Sequence, residues 1–299
     1  MSEGDGARRD EPMRGIPLLL VSITLFSISD ALAKKLGETL PPVEIAWLRY
    51  LAFLALTLLP MMRRGGLAVA RTRAPGLQVL RALGVVGSAV LFITALRHMP
   101  LAEATAVNFV APAFVTALSV VFLGERVGWR RWTAIAVGLL GMLIILRPGS
   151  EVFTPAALLP VLSSAAWAAA VIATRRMPAG ESPATTLFWT AAVGFVVLTL
   201  LLPFGARVPT ATELGLGLLI GLVSSVAQWL VVLAYRAAPA SVLAPFSYTQ
   251  LLTSGLLGAI VFGALPDGWT LLGAAVIAAS GLYTAHRERV RARATTQGR

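Results

Sequence analysis

Among the ionisable side chains inside runs that are otherwise almost wholly apolar are Asp30, Lys34, Arg49 and Glu103. A charge near the middle of such a run costs about 2.5–3.5 kcal/mol on insertion scales, so each must be paired, moved to an end or used. Asp30 and Lys34 are four apart, the spacing at which helical side chains meet, with Ser27 on the same face. They either neutralise the end of a span or form a gate or a site for a substrate carboxylate. Arg49 either reaches outward or meets Asp30, and Glu103 either pairs structurally or gates. Asp30 and Glu103 are the acids placed to couple proton movement.

A second group is neutral. The stretch "ATAVNFVAPAFVTALS", residues 104–119, carries Asn108 and Pro112 near its centre. At 100° per residue Thr105, Asn108, Pro112, Thr116 and Ser119 fall on one stripe of a helix. Pro112 has no N–H, so the carbonyl of Asn108 loses its helical partner. That predicts a bend point in a continuous helix, with residue 108 offering both amide and carbonyl. Against lipid such groups cost several kcal/mol, so the stripe faces either a neighbouring helix or a cavity. The same two readings hold for Ser224 and Gln228 on the stripe Gly217, Gly221, Ser224, Gln228, Tyr235, and for Tyr248 beside Pro245, Ser247 and Gln250. Trp167 is the lone large side chain in "SSAAWAAAV", and an aromatic face suits apolar, aromatic or ammonium groups. The expected substrate contacts are therefore Thr105, Asn108, Pro112, Trp167, Ser224, Gln228 and Tyr248. Trp129, Trp132 and Trp269 sit at run ends and read as interface anchors.

Catalysis finds no materials. The chain has no cysteine and two histidines, His98 and His286, so thiolate and histidine metal sites are out of reach. There is no His-Glu-x-x-His pattern, no acidic cluster for a metal diphosphate and no Gly-rich phosphate loop. No catalytic residue, metal or cofactor is expected, and a polar-lined channel is the rival to a carrier.

The elements that hold these residues follow from composition. Hydrophobic residues make up 57% of 299 and charged ones 13%, with a mean hydropathy of +0.79. A water-soluble surface needs about twice that charge. Apolar runs long enough to cross a ~30 Å hydrocarbon core lie at 16–36, 43–62, 77–97, 101–123, 131–147, 155–174, 185–203, 213–235, 240–263 and 269–285. The chain thus reads as an all-α integral membrane protein of ten spans. A polar N-terminus, 1–15, reads as disordered, and a basic tail occupies 286–299. Alternate loops carry 18 and 5 basic residues, which places both termini in the cytoplasm by the positive-inside rule. The net charge of +11 is accounted for by that face, and no nucleic-acid partner is expected. The expected partners are the lipid bilayer and a small molecule, with the chain acting as a monomer.

At an offset of 139, "ALRHMPLAEATAVNF" (95–109) lies over "AYRAAPASVLAPFSY" (234–248). Ala95, Arg97, Pro100 and Phe109 meet Ala234, Arg236, Pro239 and Tyr248, and Gly124 meets Gly263. Two halves, 16–147 and 155–285, then hold five spans each. Five is odd, so the second half enters from the opposite side and the repeat is inverted, the architecture of alternating-access carriers. Ser247 and Leu251 match Asn108 and Pro112, so the bend point is expected in the first half alone.

The segment from "ALRHMPLAEATAVNFVAPAF" through the "GE" turn at 124–125 to the closing helix "GLLGMLIIL" resembles the EamA domain of the drug/metabolite transporter superfamily. The resemblance implies an inner-membrane carrier of small metabolites. It points first to YddG-like exporters of aromatic and other amino acids, and alternatively to riboflavin- or S-adenosylmethionine-type uptake carriers. "SDALAKKL" and "WLRY" in the first two spans look like that second group.

Overall fold

A computed structural model describes residues 12–63, 70–125, 127–149, 154–178 and 180–297. The described residues form twelve α-helices and no strand: α1 (Pro12–Leu36), α2 (Pro42–Arg63), α3 (Pro75–Leu96), α4 (Leu101–Asn108), α5 (Ala111–Leu123), α6 (Trp129–Leu146), α7 (Leu158–Arg175), α8 (Pro183–Leu201), α9 (Ala211–Ala237), α10 (Ala240–Ser247), α11 (Thr249–Phe262) and α12 (Gly268–Gln297). Eight segments among them are long and apolar enough to cross a membrane, with 101–123 counted as one. Helix α1 already runs at Pro12, so the expected disorder of 12–15 is corrected, while 1–11 lie outside the described residues. Helix α12 likewise continues through the basic segment to Gln297.

Local sequence explains most helix ends. Pro75 and Pro183 open α3 and α8, where a missing N–H costs nothing, and the Ser182 hydroxyl accepts from the Thr185 N–H at 3.0 Å. Thr210 and Glu213 cap α9 reciprocally. Gly124 and Gly263 close α5 and α11 in the left-handed region, φ 66° and 65°, a conformation that favours glycine. These two glycines are 139 apart, as the offset match requires.

Water is not the solvent between these helices, so close approach of small residues and interhelical hydrogen bonds join them. On the α3–α7 seam the Ser88 and Ser163 hydroxyls lie 3.0 Å apart, and Ser163 Oγ donates to the Ser88 carbonyl at 2.9 Å. On α1–α9 the Ser22 hydroxyl donates to the Ala227 carbonyl at 2.8 Å. Helices α6 and α12 run antiparallel, with Gly141 and Gly273 letting the backbones touch and Ser280 donating to the Ala134 carbonyl. The outward face of α11 (Leu252, Leu256, Ile260) is bare and apolar, as a lipid-facing surface must be.

A Cβ at Gly84 would stand 2.7 Å from the Ala166 carbonyl oxygen across the α3–α7 seam, a backbone atom that cannot swing aside. Gly84→Val is expected to lower stability by about 1–3 kcal/mol, the cost of overpacking. Thermal unfolding of the purified variant in detergent measures this, and an unshifted midpoint would show that the seam yields.

The helix ends sort into two opposite sets. One holds Glu181 with Thr72 and Arg73, Arg175 with Glu125, and Arg176 on the Phe122 carbonyl. The Glu181 carboxyl is held below its usual range, chiefly by the Arg73 N–H, with the Thr72 hydroxyl and Gln78 amide adding to it. The other set holds Lys34 on the Leu96 and Met99 carbonyls, Arg147 with Asp267, and Arg207 with Glu213.

Candidate functional site

The run 101–123 does not pass Pro112 as one bent helix. Helix α4 ends at Asn108, Phe109 and Val110 form a turn, and α5 restarts at Ala111 with Pro112 in its first turn. The proline therefore begins a second helix, in the position where its missing N–H has no partner to lose. The expectation of a break in the first half alone is also corrected. Helix α10 ends at Ser247, Tyr248 intervenes and α11 restarts at Thr249. The second half reaches the same break by other means. Pro245 interrupts hydrogen bonding inside α10, and Gly281 on α12 leaves room for the Tyr248 ring, which any Cβ there would overlap.

The two break residues meet. The Phe109 and Tyr248 rings stack with centroids 5.2 Å apart and planes tilted by 34°. Both line a cavity of about 390 Å³ bounded by α5, α6, α7, α10 and α12. Trp167, Pro112 and Thr116 face the same space, and the cavity reaches Arg131 and Arg175 at the helix ends. Arg131 Nε donates to Thr116 Oγ1 at 3.1 Å, and Arg175 pairs with Glu125 at 3.4 Å. Among the described residues, no carboxylate lines the cavity.

The opposite end is shut. Ala31, Leu96, Met99, Leu101 and Ala104 form a buried plug with Leu257 and Phe262 packed on it. Charges cover that plug. Lys34 Nζ donates to the Leu96 and Met99 carbonyls at 2.6 and 2.9 Å, and lies 5.5 Å from the Phe262 ring centre. Arg147 pairs with Asp267 at 2.8 Å, and half-buried Glu103 shares the cluster with Arg147, Asp267 and Lys34. The expected Asp30–Lys34 pair gives way here, because the end of α3 offers Lys34 two carbonyls that would otherwise lack donors. Asp30 instead faces Arg49, whose Nη1 stands 4.0 Å from its carboxylate.

The remaining expected contacts are scattered. Ser224 is buried on α9 and donates to its own helix at the Gly221 carbonyl, 3.1 Å away, while Gly217 and Gly221 admit Leu48 and the Arg49 backbone of α2. Gln228 is half-buried on α9 away from the cavity lining. Thr105 Oγ1 and Asn108 Oδ1 are buried without a hydrogen-bond partner, in the last turn of α4 before the Phe109 break. The cavity thus brings together Pro112, Trp167 and Tyr248 from the expected set and adds Phe109, Arg131 and Arg175. Phe109 was signalled by its match to Tyr248; the two arginines had no signal, being two among many on the basic face.

The family model of EamA-like transporters matches residues 13–147 and again 154–284. The chain belongs to the EamA-like transporter family. EamA proteins are transporters and not enzymes, and this one is a multi-pass membrane protein with bacterial relatives, as an inner-membrane carrier has. It is 37% identical to a riboflavin transporter of Rhizobium johnstonii over 95% of both chains. It is 31% identical to an S-adenosylmethionine uptake transporter of Rickettsia bellii, covering 92% of this chain and 94% of that one. A pseudopaline exporter of Pseudomonas aeruginosa is 31% identical, over 88% of this chain and 93% of its own. A solved crystal structure superposes on the EamA chain with a TM-score of 0.60 at 25% identity, over 91% of this chain and 98% of that one. These names lend no support to the YddG-like expectation of amino-acid export, and they favour the riboflavin- and S-adenosylmethionine-type alternative.

Proposed function

We propose that this carrier imports a neutral, planar heteroaromatic metabolite of the riboflavin class across a bacterial inner membrane by alternating access. It does so through ten spans in two inverted five-helix halves, with both termini in the cytoplasm. The observation that carries the substrate class is the lining of the cavity, which among the described residues holds three aromatic rings, two guanidinium groups and no carboxylate. A flat uncharged ring gains from Trp167, Tyr248 and Phe109, and a hydroxyl-bearing tail finds donors in Arg131 and Arg175. A sulfonium cation of the S-adenosylmethionine class would instead bring a further positive charge beside two guanidinium groups, a repulsion that discriminates against it. The volume of about 390 Å³ lies within the range of roughly 300–1,000 Å³ for small-molecule sites.

The paired breaks at Phe109 and Tyr248, and the Pro100 and Pro239 caps that start α4 and α10, support the inverted-repeat reading. In it the arginine-rich end faces the cytoplasm, so the cavity is open inward and the plug at Leu96 and Leu101 closes the outside. Pro112, Trp167 and Tyr248 touch substrate in this state. Thr105 and Asn108 lie beyond the ring pair and are reached from the outer side. Lys34, Glu103 and the Asp30–Arg49 pair hold the closed outer half together.

Uptake of radiolabelled riboflavin into proteoliposomes tests this. Saturable uptake and counterflow are expected, with S-adenosylmethionine and phenylalanine competing at least about tenfold more weakly, a difference of about 1.4 kcal/mol. Competition by S-adenosylmethionine at equal concentration, or uptake of phenylalanine alone, would overturn the assignment.

A further inference from the structure

The two stacked rings stand at a place with no counterpart elsewhere in the described residues. Phe109 caps α4 and Tyr248 lies between α10 and α11, so each sits on the break that lets a split helix move as two pieces. They are 139 residues apart, the offset that superposes the halves, and they touch each other. In an inverted repeat, the inward- and outward-open states are related by exchange of conformation between the two halves. A contact between repeat-equivalent residues is mapped onto itself by that exchange. Phe109 and Tyr248 therefore face each other across the closing point in both states, whereas Trp167, Arg131 and Arg175 line only the space open in this one.

We propose that the Phe109–Tyr248 pair is a two-sided aromatic gate and stacking site, on which the flat ring of the substrate rests whichever way the carrier faces. Opening toward the outside draws the two rings past each other. The substrate ring then keeps one aromatic face throughout the passage, and the unpartnered Thr105 and Asn108 polar atoms beyond the gate become its neighbours on the outer side. Gly281 fits the same account, because the Tyr248 ring occupies the space a side chain would take there. The proposal rests on the carrier reading and its planar substrate class.

The experiment uses riboflavin as probe and measures KM from each membrane side in oriented proteoliposomes. Phe109→Leu and Tyr248→Leu are each expected to raise KM about tenfold from both sides, while Trp167→Leu raises it on the cytoplasmic side alone. Tyr248→Phe keeps the ring and is expected to stay within about twofold, which separates stacking from a fold defect. The chain has no cysteine, so a Leu101→Cys background adds a direct reading: with Phe109→Leu or Tyr248→Leu added, a membrane-impermeant thiol reagent applied from outside is expected to label it faster than its parent. An effect of Tyr248→Leu confined to one side, or unchanged KM in both leucine variants, would overturn the gate. Failure of the wild-type protein to take up riboflavin would overturn the carrier assignment instead, and the cysteine arm would then still report on the gate through altered labelling of Leu101→Cys from outside.

Discussion

Arg49→Gln is expected to be among the most damaging single substitutions in the chain, lowering stability by about 3–5 kcal/mol, the range for removing one partner of a buried pair. Asp30 is 7% exposed, and the Arg49 guanidinium at 4.0 Å is its one ion-pair partner among the described residues. Without it, the buried carboxylate keeps no ion-pair partner among the described residues. Ser27 is already engaged with Thr253 at 2.7 Å, and Ser29 with the Ile220 carbonyl at 3.3 Å, so neither turns to help freely. The double variant Asp30→Asn/Arg49→Gln removes both charges with little change of shape and is expected to recover more than half of the loss. Thermal unfolding in detergent across the four proteins measures the coupling, with a drop of roughly 10 °C expected for the single variant. Additive losses in the double variant would show that the two residues act separately. The same series asks whether the pair serves transport: a double variant that is folded yet slow would place Asp30 in the cycle and not merely in the scaffold.

The spans were legible because the bilayer leaves the chain so little choice. Apolar runs of the right length must be helices, and every polar residue inside them needs a partner. The caps were legible for the same local reason, as Gly124 and Gly263 show: both were matched by spacing and both close helices at positive φ. The form of the break at Asn108 and Pro112 was not. A proline cancels the bond to the carbonyl four residues back whether it bends one helix or begins another, so spacing alone does not decide between them. What the break carries is a contact that spacing along the run does not show: Phe109 stacks on Tyr248, whose ring sits where Gly281 has no side chain, more than a hundred residues away. Lys34 shows the same limit. Its sequence neighbour Asp30 is in helical register, yet the carbonyls of Leu96 and Met99 won it, because an open helix end is a better partner for an ammonium than an acid already facing a guanidinium. The stripe around Ser224 was ambiguous in kind. Small residues at helical spacing suit a seam and a cavity equally, and only the nearness of Leu48 and the Arg49 backbone makes it a seam.

In the proposed orientation the closed end faces outward, and it carries the second large effect. Arg147 ends α6 with a positive φ of 46° and brings its guanidinium to Asp267, which lies just ahead of α12. Glu103 stands in the same cluster, so Arg147 balances two acids, and the three residues come from three different segments. Arg147→Glu puts three carboxylates where the plug at Leu96 and Leu101 must close, and like-charge contact of this kind costs several kcal/mol. The closed outer half then loses its latch while the inner half is untouched. Riboflavin uptake is expected to fall about a hundredfold, near 2.7 kcal/mol, as the carrier rests outward-open. Adding Asp267→Lys restores the charge balance, but only in part. Asp267 Oδ1 also accepts from the Thr270 N–H at 2.8 Å and so caps α12, and losing such a cap costs about 1 kcal/mol. Recovery to within about tenfold of wild type is therefore the expected outcome. Leu101, 1% exposed in this state, reports the conformation directly: in a Leu101→Cys background, a membrane-impermeant thiol reagent applied from outside should label the Arg147→Glu protein faster than its parent. Equal labelling with lost uptake would mean that Arg147 supports the fold and not the latch, and unchanged uptake would remove the cluster from the transport cycle.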